Sequence, residues 1–142
     1  MKRIAVLLLA LAVLPFGNEA SAQEFQVVVN AANGISSVSR DELSRIFLKK
    51  STRWSGGAAA VAVDLRAGDS AREAFSQAVH GRGANAIASY WQQQIFAGKD
   101  VPPEEKGSAA DVLAFVAATP GAVGYVPVGT AVGGGVKVIT VS

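Results

Sequence analysis

The chain has 142 residues, half of them hydrophobic and 17% charged, with a formal net charge of +2, one histidine and no cysteine. The absence of cysteine excludes a disulfide, a thiolate nucleophile, a zinc–thiolate site and lipid attachment at a cysteine. The near-neutral balance gives no electrostatic footprint for nucleic acid.

The N-terminal segment reads as a cleavable secretory signal over residues 1–22. Lys2 and Arg3 form a short positive region, and Ile4 to Phe16 is apolar apart from Pro15. Polar Gly17, Asn18 and Glu19 follow, and Ala20-Ser21-Ala22 supplies the small-x-small cleavage pattern. The apolar run is shorter than the roughly 20 residues needed to span a bilayer. Cleavage after Ala22 removes 22 of 142 residues and leaves 120, enough for one domain with a real core. The signal holds Lys2, Arg3 and Glu19, so the net charge falls from +2 to +1. The expected organisation is thus a signal at 1–22 and a single α/β domain at 23–142, acting outside the cytoplasm.

Phe25 to Val29 is a valine-rich apolar run, which predicts a buried strand. Ser39-Arg40-Asp41-Glu42 predicts a capped helix start, with Leu43, Ile46 and Phe47 at helical spacing behind it. Lys49 to Gly57 reads as a basic turn holding Trp54, and Ala59 to Leu65 as a second strand. A second helix starts at Asp69 or Ser70, with Glu73 three residues after Ser70 in capping-box spacing and Ala71, Phe75, Ala78 and Val79 as its apolar face, and Gly81 and Gly83 end it. The third helix spans Ala84 to Phe96, with Ile87, Tyr90, Trp91, Gln94 and Ile95 along one stripe. A polar loop with Pro102-Pro103 follows. Ser108 caps a fourth helix, with Val112, Leu113, Val116 and Ala117 facing inward, and Thr119-Pro120-Gly121 stops it. Ala122 to Val128 and Val136 to Val141 read as strands joined by a turn at Gly133-Gly134-Gly135. Strands alternating with helices predict a mostly parallel sheet covered on both faces.

The strand–turn–helix segment from Val63 to Glu73 is the most informative stretch for function. The first amides of a helix lack internal acceptors and sit at the positive end of its dipole, so such an end attracts phosphate, sulfate or carboxylate. Ser70 adds a hydroxyl, and Arg66 or Arg72 a charge-assisted fork. The bland alternative is that Asp69 or Ser70 merely caps the helix. His80 has no second histidine or cysteine beside it, which argues against a metal and for a C-terminal histidine in the helix dipole. No acid pair, G-x-S-x-G elbow or phosphate loop is present, so no enzyme is expected. Trp54, Tyr90 and Trp91 read as core or edge residues, and Arg45, Lys49, Lys50 and Arg53 as a solvated basic face.

Three stretches in register carry a resemblance. Ser39 to Lys50 with Trp54-Ser55-Gly56-Gly57, the segment up to Arg72-Glu73-Ala74-Phe75, and Thr119-Pro120-Gly121-Ala122-Val123-Gly124-Tyr125-Val126 together resemble the phosphate-type periplasmic substrate-binding proteins of ABC transporters. The last of these resembles the family's T-P-G-A-I-G-Y-V segment. The resemblance implies an α/β fold in which two lobes close on an oxyanion, and this chain is similar to the second lobe only. It implies weak phosphate or oxyanion binding at Arg66, Gly68, Asp69, Ser70, Ala71 and Arg72, no cofactor and no metal. A one-residue slip exchanges the roles of Arg66 and Arg72. The family's G-S-G-T is here Gly68-Asp69-Ser70-Ala71, which removes a hydroxyl and adds a negative charge. The implied partners are the oxyanion and a membrane transporter or another periplasmic protein. The rival reading is a protein-interaction module that kept the lobe and lost its ligand.

Overall fold

A computed structural model describes residues 24–142. The expected signal and its cleavage point fall outside the described residues. In chain order the elements are β1 (Phe25–Asn30), β2 (Ser37–Val38), α1 (Arg40–Phe47), β3 (Val61–Leu65), α2 (Ser70–Phe75), α3 (Ala84–Phe96), β4 (Glu104–Lys106), α4 (Ala109–Ala118), β5 (Ala122–Pro127) and β6 (Val136–Val141). A π-helical turn, Ser76–His80, continues α2.

The strands form one mixed sheet in the order β2-β6-β1-β5-β3-β4. Three of its five pairings are parallel: β2 with β6, β3 with β4, and β3 with β5. The central strand β1 runs antiparallel to both neighbours, with Val28 opposite Gly124 on β5 and Val138 on β6. The two strands joined by the glycine turn therefore do not pair with each other, because β1 lies between them. Both faces are covered, as the alternation of elements predicts. On one face α4 lays Val112 and Val116 on the sheet, and a side chain at Gly124 would come within 2.8 Å of Val112 and Val63.

On the other face α1 and α2 bring four rings together. Phe75 stacks on Tyr125 with centroids 4.0 Å apart, and Phe25 and Phe47 meet Phe75 at 5.4 and 4.6 Å. Burying each such side chain contributes about 1.5–3 kcal/mol. Ser39 caps α1 by accepting from the Glu42 amide at 3.1 Å, and Ser108 does the same for α4 with Asp111 at 3.1 Å. Several inward assignments need correction. Leu113 is only half-buried, and Ala117 and Ile95 are exposed, because α3 and α4 each bury a narrower stripe than the apolar pattern suggests. Trp54 and Trp91 are buried and Tyr90 partly so.

Candidate functional site

The predicted site lies where β3 hands over to α2. Arg66 takes the last backbone bond of β3, donating its amide to the Lys106 carbonyl at 2.9 Å. The chain then turns, with the Asp69 amide donating to the Arg66 carbonyl at 3.2 Å. Gly68 has φ +88°, the left-handed value that a glycine adopts without steric cost. Asp69 is the cap of α2, its Oδ1 accepting from the Ala71 amide at 2.8 Å.

The structure divides the six predicted residues. Arg66, Gly68 and Ser70 are exposed and Asp69 is half-buried. Arg66 forms no ion pair and the Ser70 hydroxyl no hydrogen bond among the described residues. Ala71 and Arg72 are buried. Arg72 is thereby removed from the candidate anion donors. Its Nη1 donates to the Leu65 carbonyl at 3.0 Å and to Glu105 Oε1 at 2.5 Å. Helix geometry leaves the first-turn amides of Ser70, Ala71 and Arg72 without internal acceptors, and the Asp69 carboxylate already occupies the middle one.

Beneath the turn lies a buried polar group that spacing alone does not announce. The Tyr125 hydroxyl donates to Asp64 Oδ1 at 2.5 Å and accepts from the Leu65 amide at 3.3 Å. Burial raises the Asp64 carboxyl above its ordinary range, against the hydrogen bond from Tyr125 and the charge of Arg72. Burial also works against the Arg72 charge, but the Asp64 and Glu105 carboxylates outweigh it and hold its pKa above the usual value. Burial and the Asp64 carboxylate raise the Tyr125 phenol as well. This group ties β3, β4, α2 and β5 together, so the exposed turn stands on a fixed base.

Two further placements depart from the sequence reading. His80 does not serve the helix dipole as a cation. Burial, then Arg82 and Lys50, lower its pKa to about 4, and its Nδ1 pairs with the Ser44 hydroxyl at 2.8 Å. Glu73 does not close a capping box on Ser70. Its Oε2 accepts from the Ala84 amide at 3.0 Å and so caps α3, whose own cap residue is Gly83. Among the described residues no group of three or more acids and histidines is gathered to hold a metal, and no helix is long and apolar enough to cross a membrane.

This sheet order, with helices on both faces, is the architecture of one lobe of a periplasmic binding protein. The solved structures that share it include a phosphate ABC transporter substrate-binding protein from Clostridium perfringens with bound phosphate. That match has 19% identity and TM-score 0.65 over 83% of this chain and 44% of that one. An ABC-type phosphate transport receptor from Vibrio cholerae matches at 20% identity and TM-score 0.64, over 83% of this chain and 46% of that one. PstS from Borrelia burgdorferi matches at 14% identity and TM-score 0.65, over 84% and 47%. The chain thus spans about half the length of each. No protein-family model and no curated protein matches the sequence.

Proposed function

We propose that this chain is a non-enzymatic, exported binding-protein-like domain, residues 23–142 after loss of the signal, that recognises phosphate or a related oxyanion weakly in connection with ABC-type transport. The observation that carries this reading is that Arg66 and Ser70, both exposed and uncommitted, flank the turn that starts a helix. The fold around them is shared with a phosphate-bound structure. Arg66 supplies the charge, and Ser70 supplies a hydroxyl and an amide. One lobe cannot surround the ion, so water competes for its outer oxygens. The expected dissociation constant is on the order of 0.1–10 mM. The Asp69 carboxylate repels a dianion, so binding strengthens as pH falls and phosphate gains a proton.

Titration of the labelled protein with inorganic phosphate tests this by amide chemical shifts. Saturable shifts at Gly68 to Arg72, weakened by Arg66→Ala and by Ser70→Ala and strengthened by Asp69→Ser, support it. Micromolar binding by a proven monomer contradicts the half-shell argument.

A second reading has its own observation. The Asp69 carboxylate already holds the Ala71 amide at 2.8 Å, acting as an internal anion where an external one would sit. On that reading the lobe is a periplasmic protein-interaction module. The absence of any shift at about 50 mM phosphate, roughly five times the weak end of the range above, decides for it.

A further inference from the structure

At the other end of β3 the sheet edge is only partly covered. Strand β4 pairs only with Val63, Asp64 and Leu65, and the Ala60 amide donates to the Thr52 carbonyl at 2.9 Å, so Val61 and Ala62 have no strand on that side. A cleft of about 420 Å³ occupies the gap. Its walls include Ile46 from α1, Val61 from β3 and Phe115 from α4, and Lys49 and Asp100 stand in its lining. The volume falls within the range of small-molecule sites.

Lys49 is held there by an unusual backbone. It is the only non-glycine residue with positive φ among the described residues, at +55°. It follows the C-cap of α1, Leu48, at a position that glycine commonly fills. A lysine in that conformation marks a side chain placed at some cost, which is a feature of ligand clamps. Its Nζ stands 3.8 Å from Asp100 Oδ1, with the two side chains 32% and 43% exposed. That separation exceeds the hydrogen-bond range; Asp100 Oδ1 accepts from the Val101 amide at 2.8 Å instead, so its Oδ2 and the Lys49 Nζ keep room for another partner. The neighbouring Glu104 is already engaged by Lys106 at 2.9 Å, and the Ser51 hydroxyl by the Arg53 carbonyl. Lys49 and Asp100 are therefore the opposite charges that the cleft offers to a guest.

We propose that this cleft binds a free α-amino acid with an apolar side chain. Such a molecule carries ammonium and carboxylate on one carbon, about 3 Å apart by covalent geometry. Its carboxylate faces Lys49 Nζ, its ammonium faces Asp100, and the pair of ion pairs closes into a ring. Its side chain covers Val61 and Phe115. The exposed Lys49–Asp100 contact contributes little by itself, so little is lost when a zwitterion inserts. This site is separate from the Arg66 turn and does not depend on phosphate binding.

The test is a titration of the labelled protein with L-leucine and, in parallel, with N-acetyl-L-leucinamide, which has the same side chain and neither charge. The expected result is saturable movement of the Lys49, Ala62 and Asp100 amides with a dissociation constant on the order of 1 mM, and none with the uncharged analogue. Lys49→Gly removes the charge and puts glycine where the backbone favours it. Its melting temperature should hold or rise while leucine affinity falls at least about tenfold. Asp100→Asn should show the same loss. No saturable movement with L-leucine, equal movement with the uncharged analogue, or unchanged affinity in Lys49→Gly would each overturn the proposal.

Discussion

Gly121 at the start of β5 and Gly68 at the end of β3 both sit in the left-handed region, at φ +79° and +88°. Their surroundings are opposite. A Cβ on Gly121 would lie 2.0 Å from the Ala59 carbonyl oxygen, and the buried Trp54 indole donates to the Gly121 carbonyl at 2.9 Å. A Cβ on Gly68 would meet nothing within 4 Å. One glycine is fixed by packing and by backbone angle, the other by angle alone. The closed corner holds the sheet together; the open turn leaves Arg66 and Ser70 available to a partner.

The comparison is broken most directly by Gly121→Ala. The methyl has no room against a backbone atom, and destabilisation of about 4 kcal/mol or more, or failure to fold, is expected in urea melts. Phe75→Ala removes the ring that stacks under the open turn and should cost about 3–5 kcal/mol; Leu113→Ala, half-buried, should cost less. Tyr125→Phe strips Asp64 and the Leu65 amide of one partner and should cost about 1–3 kcal/mol by the same melts. Gly68→Ala meets only the angular penalty, about 1–2 kcal/mol. A cost for Gly68→Ala equal to that of Gly121→Ala would erase the distinction.

The smallest effect is one of pH. The folded-state pKa of His80 lies near 4, below the ordinary 6.5. Between those values the unfolded chain binds a proton that the folded chain refuses. The contribution of His80 is therefore complete above about pH 6.5 and is lost as pH falls toward about 4. Asp64, whose carboxyl is raised, works in the opposite sense, because its folded form holds a proton longer. His80→Gln should therefore narrow the loss of melting temperature between about pH 7 and pH 5 relative to the parent protein, and thermal scans at both values check it.

Local signals account for what the sequence shows of this fold. Helix α3 and strand β6 have the bounds that periodicity predicts, and the caps at Ser39 and Ser108 are where serine leads the apolar run. Strands β2 and β4 carry no sequence signal, because two or three residues hold no period and Glu104-Glu105-Lys106 reads as loop. The site was half legible. The turn and the cap at Asp69 follow from local chemistry. Spacing cannot say which arginine turns inward, because that depends on Leu65, Glu105 and Asp64 meeting Arg72 in three dimensions. The Tyr125–Asp64 bond joins residues 61 apart, beyond any local pattern.

The central strand also sets an order in time. β1 opens the domain, yet both its neighbours, β5 and β6, come from the far end of the sequence. The Arg40 amide even donates to the carbonyl of Ser142, beyond β6, and the Ser142 amide to the Val38 carbonyl. Closing such distant segments costs chain entropy before any pairing repays it, and folding slows accordingly. Phe25 to Asn30 therefore stays unpaired until β5 is made, and paired on one edge only until β6 follows. A protein of this design completes its core only as a whole, and a chain cut before Val136 would leave its first strand with one edge bare.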